Sequence, residues 1–171
     1  MNTLLNADLT RYSTSGKMPL FQKCLRRYQE AKNPMTKCIF KLGVFIFRKM
    51  NSIDISCSSH IGGGLYIGHP YGITVNPEAV IGENCNIHKG VTIGQENRGK
   101  RKGAPTIGNK VWMGVNSTIV GNITIGDDVL IAPNSYVNFD VPSHSIVIGN
   151  PGKIIHRENA TLDYVNNLYV D

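Results

Sequence analysis

Five histidines, His60, His69, His88, His144 and His156, are the side chains of this sequence best able to move a proton near neutral pH. A hydroxyl is a poor nucleophile at that pH, and an imidazole can take its proton as it attacks an electrophile. His69 lies in the stretch IGHPYGITV, and Asp54 stands fifteen residues before it. His88 directly follows the aliphatic Ile87 and is expected to point outward, where it can line a cleft. His60, His144 and His156 are expected to be solvated. No H-x-x-x-x-H or comparable cluster accompanies His69 and His88, so no metal site is expected. The four cysteines, Cys24, Cys38, Cys57 and Cys85, form no C-x-x-C pair, and Met1 to Arg11 has no apolar core of a secretory signal. The longest apolar run, Cys38 to Phe47, is broken by Lys41 and Gly43 and is about half the ~20 residues that span a bilayer. A reducing, cytoplasmic setting is the expectation.

The elements that must position these residues are marked by a change of period. Aliphatic residues fall at Ile55, Ile61 and Ile67, then at Val75, Ile81, Ile87 and Ile93, then at Ile107, Met113, Ile119, Ile125, Ile131 and Val137. Thirteen positions therefore keep a six-residue spacing with two interruptions. Glycine follows the aliphatic at 62, 68, 82, 94, 108, 114 and 126, and small or β-branched residues stand four places on at Ala79, Val91, Val111, Ser117, Val129 and Ser135. A period of six is neither the 3.6 of a helix face nor the alternation of an open sheet; it matches a hexapeptide parallel β-helix. Each hexad makes a short strand and a corner, with glycine supplying backbone freedom there, and three hexads make a triangular coil of about 18 residues. Four to five coils are expected.

Three segments follow. Residues 1–50 form an N-terminal helical segment, with two helices read between Met18 and about Met50 on either side of Asn33-Pro34. Residues 51–153 form the solenoid, which ejects the loop 95–106 (QENRGKRKGAPT), and 154–171 form a tail helix capping the last coil. The first 50 residues carry ten Lys or Arg against Asp8 and Glu30, a net +8, whereas the remainder is −2. With Phe21, Tyr28, Phe40, Phe45 and Phe47, that basic segment would suit peripheral association with a lipid surface, or it packs on the first coil. No groove-reading motif accompanies the charge, so nucleic acid is not expected as a partner.

The stretches IDISCSSHIGGGLYIGHPYGITV, AVIGENCNIHKGVTIG, PTIGNKVWMGVNSTIVGNITIGDDVLIAPNS and DVPSHSIVIGNPGKII resemble, in order and spacing, the hexapeptide-repeat acyltransferases and within them serine acetyltransferase. The resemblance covers roughly Asp54 to Lys153. It implies a left-handed parallel β-helix that forms a homotrimer and uses acetyl-CoA as co-substrate. It also implies that His69, in the H-x-x-G-I segment, is the general base and that Asp54 orients it. Eighteen residues return a solenoid to the same side one coil up, roughly 5 Å away, so the two lie on one side of adjacent coils, three places out of register. On the residues alone, Asp54 reads equally well as a cap of the solenoid entrance and His69 as a turn residue. For acetyl-CoA the resemblance implies backbone recognition at Gly114, Val115, Ala132 and Pro133, with Lys153 meeting a phosphate; Gly114 is also a corner glycine of the repeat.

Departures from the family bear on the acceptor. Its Arg-His pair, which holds the amino-acid carboxylate, is replaced by Gly103 and Ala104, and its acidic residue before the catalytic His by Gly68. The segment LNADLTRYSTS is similar to one that contributes acceptor contacts, with Asp8 at the matching place. Arg98, Lys100, Arg101 and Lys102 form a cationic loop that attracts phosphates or is simply solvated. The expected activity is acetyl-CoA-dependent O-acetylation of a sugar hydroxyl in a surface or capsular glycan, with L-serine as the alternative acceptor and a non-enzymatic structural solenoid as the remaining reading.

Overall fold

The computed structural model describes residues 3–12 and 17–170. Three helices precede the solenoid: α1 (Leu4–Arg11), α2 (Leu20–Glu30) and α3 (Pro34–Asn51). The first coil holds β1 (Asp54–Ile55), β2 (His60–Ile61) and β3 (Tyr66–Gly68), and the second β4 (Thr74–Val75), β5 (Val80–Ile81) and β6 (Asn86–His88). The third holds β7 (Thr92–Gly94), β8 (Thr106–Ile107) and β9 (Trp112–Met113), and the fourth β10 (Thr118–Val120), β11 (Thr124–Ile125) and β12 (Val129–Ile131). β13 (Tyr136–Val137) and β14 (Ser145–Ile148) make the fifth, and β15 (Lys153–His156) follows. Parallel pairing stacks these strands into three sheets, β1-β4-β7-β10-β13, β2-β5-β8-β11 and β3-β6-β9-β12-β14, the parallel solenoid that a left-handed hexapeptide helix requires.

All thirteen aliphatic positions of the repeat are buried, and register explains why. Ile55, Val75, Ile93, Ile119 and Val137 stack in the first sheet, and Ile67, Ile87, Met113, Ile131 and Val147 in the third. Thr74 pairs with Thr92, the coil of 18 residues, whereas Asp54 pairs with Thr74, so the first coil is two residues longer. The extra length falls in the corner His69–Ile73.

The glycine column has a different cause from the expected one. Left-handed backbone falls instead on residues such as Asn84, Lys110, Asn116, Asp128 and Asn134, and on none of the glycines that follow the core aliphatic. Gly62, Gly82, Gly108, Gly114 and Gly126 are demanded by space: a β-carbon at Gly62 would lie 2.8 Å from the Gly82 carbonyl, and one at Gly82 2.7 Å from that of Gly108.

The N-terminal helices differ from the sequence reading in number. Besides α2 and α3, the eight-residue α1 forms, a length marginal alone. It is held by a Thr3 side-chain cap and by Asp8, whose carboxylate pairs with Arg26 at 2.7 Å and accepts from the Leu65 amide at 2.9 Å. α2 lies on the first coil, burying Phe21 and Leu25 while Arg26 donates to the Ile61 and Gly62 carbonyls. α3 packs on α2 and leaves Met35, Ile39, Leu42, Phe45 and Ile46 exposed.

The tail is not a helix. β15 pairs antiparallel with β14 and covers the edge of the third sheet. Residues 157–170 then descend in turns, with left-handed backbone at Asn159, Asp163 and Asn167 that no α-helix admits. Their backbone is held from outside: the Asp128 carboxylate accepts from the Ala160 and Thr161 amides, while Asn86 and Arg11 donate to the Tyr164 and Asn166 carbonyls.

Candidate active site

The two-residue extension of the first coil builds a pocket. It carries the chain through His69, Pro70, Tyr71 and Gly72 on its way from β3 to β4, with His69 itself in the left-handed region at φ 57° and exposed. The corner is tied down by its backbone, as Gly72 donates to the Asn51 carbonyl and Gly90 to that of Tyr71. With Tyr12, Lys17, Tyr66, Gly68 and His88, this corner encloses a cavity of about 340 Å³.

His88 stands on β6, opposite Gly68 of β3. It turns outward from the core aliphatic Ile87, as its place in the repeat predicts, and lies in an aromatic row along the third sheet. Tyr12 stacks on Tyr66 at 4.8 Å, His88 lies 4.7 Å from Trp112, and Trp112 meets Tyr164 edge-on at 5.1 Å. His88 Nδ1 is 3.1 Å from the Met113 carbonyl oxygen, a contact only an Nδ1–H can make, so Nε2 carries the lone pair. Burial lowers its pKa, and the nearby His69 acts in the same direction against the Met113 hydrogen bond. The result is an oriented, neutral imidazole in the pocket wall.

Asp54 and His69 are not brought together. The Asp54 carboxylate is held by Arg48, beside a separate recess lined by Phe45, Arg48, Lys49, Ser52 and Ile53, and among the described residues no hydrogen bond joins it to His69. The longer first coil is the reason: Asp54 is opposite Thr74 on the first sheet, so His69, on the preceding corner, is five places out of register with it rather than the three expected from an 18-residue coil. Asp8 does not reach the pocket as an open ligand either, since its side chain is fully buried against Arg26.

Higher on the same face a second cavity, of about 640 Å³, is lined by Trp112, Leu130, Ala132, Pro133, Ile146, Arg157 and Tyr164 among others. Two of the four expected cofactor-binding backbone positions, Ala132 and Pro133, face it. Gly114 lies beneath, its amide donating to Ile131 and its carbonyl accepting from Ser117; the Ala132 amide is likewise used by Val147. Backbone donors at 114 and 132 are thus consumed by the coil ladder. The Val115 carbonyl accepts from Asn134, and Lys153 is exposed on β15 without lining the cavity.

The loop 95–106 leaves between β7 and β8, on a different edge of the prism from His69. It is closed by a Glu96–Gly103 bridge and a 3-10 turn at Gly99–Arg101, with Arg98, Lys100, Arg101 and Lys102 exposed. Among the described residues, no group of three or more metal-ligating side chains converges, and no helix is long and apolar enough to cross a membrane.

Comparison with known proteins locates these features in a family context. Residues 104–138 match the model of the bacterial transferase hexapeptide family (six repeats). Serine acetyltransferase of Synechococcus elongatus is 35% identical over 116 residues, covering 68% of this chain and 48% of that protein, so the chain spans about half the length of that relative. Serine acetyltransferase of Neisseria gonorrhoeae, solved in complex with serine, superposes with a TM-score of 0.68 at 28% identity, over 89% of this chain and 67% of that one. The Brucella abortus enzyme in complex with coenzyme A gives a TM-score of 0.73 at 25% identity, over 90% and 67%.

Proposed function

We propose that this hexapeptide-repeat chain, which resembles serine acetyltransferases in sequence and fold, is an acetyl-CoA-dependent O-acetyltransferase. The observation that carries the reading is the cavity at the lengthened first corner, where His69 and His88 meet in the region similar to those enzymes. His69 takes the proton of the acceptor hydroxyl as its oxygen attacks the thioester carbonyl, and returns it to the departing thiolate. Asp54 is given no part in that transfer, because Arg48 holds its carboxylate.

Acetyl-CoA is assigned to the upper part of the same face, where Trp112, Ala132 and Pro133 offer apolar contact and Arg157 a cation for phosphate. Recognition there rests more on shape than on the amides of residues 114 and 132. A homotrimer is inferred from the resemblance, and a neighbouring copy is then the route by which loop 95–106 approaches a His69 pocket. The four free cysteines suit a reducing, cytoplasmic compartment. The exposed apolar side of α3, with Lys37 and Lys41 on the same helix, supports peripheral contact with an anionic lipid surface.

L-Serine is the first acceptor, on the strength of the similar proteins' names and of the serine complex. An uncharged sugar hydroxyl, as in a surface or capsular glycan, is the second reading; Gly68 and the Gly103-Ala104 pair remove charge partners an amino acid uses. Thiol release from acetyl-CoA, measured with L-serine and with a panel of sugars, tests both. Absence of acceptor-dependent release would remove the proposal.

A further inference from the structure

We propose that His88 is a specificity-determining residue of the acceptor pocket, accepting at Nε2 a hydrogen bond from a donor group next to the hydroxyl that is acetylated. The inference rests on the acetyltransferase reading above. Three observations carry it. The Met113 carbonyl occupies Nδ1 and leaves Nε2 as the acceptor. Gly68, by lacking a side chain, gives the ring its place, since a β-carbon there would lie 2.8 Å from Nε2. Finally, the ring lines the same cavity as His69, flanked by Tyr66 and Trp112.

The pair Gly68–His88 thereby exchanges one kind of recognition for another. A side chain on residue 68 would reach into the space the imidazole now fills, so an acidic group there and His88 in its present rotamer exclude each other. The pocket wall offers a neutral acceptor instead of a carboxylate. Two donors satisfy it: the ammonium of an amino acid or a neighbouring hydroxyl of a sugar. A neutral acceptor holds the ammonium with no formal countercharge and a hydroxyl without penalty. His69 remains free for the proton transfer.

The test uses the full chain and two variants, His88→Leu and His88→Gln, with L-serine and several monosaccharides as probes. In long-range nitrogen–proton spectra of the unmodified protein, His88 should appear as the Nδ1–H tautomer, and a binding acceptor should shift its Nε2 resonance. Kinetically, His88→Leu should raise the acceptor KM roughly tenfold while the acetyl-CoA KM stays within about twofold, and His88→Gln, which keeps an acceptor atom, should recover most of the loss. Serine or a sugar as the probe that shifts Nε2 identifies the donor. If no probe shifts Nε2, or if His88→Leu leaves the acceptor KM unchanged, the inference is overturned. If the protein turns over no acetyl-CoA while a probe still shifts Nε2, the acetyltransferase reading fails and the assignment of His88 to a ligand pocket stands.

Discussion

Gly68 and His88 face each other across neighbouring coils so closely that a β-carbon on residue 68 would lie 2.7 Å from His88 Cδ2. The ring cannot simply yield, because it is fixed to the Met113 carbonyl and packed against Trp112. Gly68→Asp is therefore expected to cost about 1–3 kcal/mol by overpacking. Adding His88→Ala should recover part of that loss, and thermal unfolding of the single and double variants measures the coupling. Additive effects would deny that the two residues share one space.

Asp8 and Arg26 form a fully buried pair that also satisfies the Leu65 amide and sets α1 against the first coil. Asp8→Ala leaves a buried guanidinium with three of its five hydrogen bonds and no countercharge. A loss of about 3–5 kcal/mol is expected, read by urea unfolding; a loss below about 1 kcal/mol would mean that the pair is open to solvent.

How much of this was legible in the sequence depends on the range of the interaction involved. The six-residue columns report a strictly local regularity, and they place Ile55 through Val137 in the core without tertiary knowledge. The glycines that follow them are visible as a column, but their reason is the Gly82 and Gly108 backbones one coil away. The tail illustrates the opposite limit. Leu162, Val165 and Tyr169 have helical spacing, yet Asp128, Asn86 and Arg11, distant in sequence, capture the tail's backbone in turns. The pocket falls between these cases: His88 was recognisable as outward-facing, but its tautomer depends on the Met113 carbonyl.

The His88 environment also predicts a pH dependence of stability. Its folded pKa lies below the ordinary imidazole value near 6.5, so the unfolded chain binds the proton more readily. His88 should therefore cost stability as pH falls below about 6.5, down to its folded pKa, and cost nothing above that window. The groups facing it are His69, Tyr66, Tyr12, Tyr71 and Lys17 in the pocket, with Trp112 on its other side. The stability difference between the wild-type protein and His88→Gln should accordingly change between pH 7.5 and pH 5.5, roughly one unit either side of that value. Parallel stability curves would contradict it. His144 acts oppositely, because its hydrogen bond to Asp128 raises its pKa and its contribution is lost as pH rises through that folded value.

Asp54 provides a contrast with His69. Its carboxylate is exposed and paired with Arg48, a surface ion pair worth about 1 kcal/mol or less. Asp54→Asn should lower kcat by less than roughly tenfold, whereas removing a group that fixes a catalytic imidazole's tautomer costs about ten-thousandfold. A drop of the larger size would show that Asp54 leaves Arg48 for His69 during turnover.

His69 is assigned as the base of an acetyl transfer. Thiol release from acetyl-CoA by the full chain and by His69→Ala, with L-serine and the sugar panel as acceptors, tests it most directly. The expected result is saturable, acceptor-dependent release that falls roughly a hundred- to ten-thousandfold in the variant, with the circular dichroism of the solenoid unchanged. Undiminished release by a folded His69→Ala protein with the best acceptor would contradict the account.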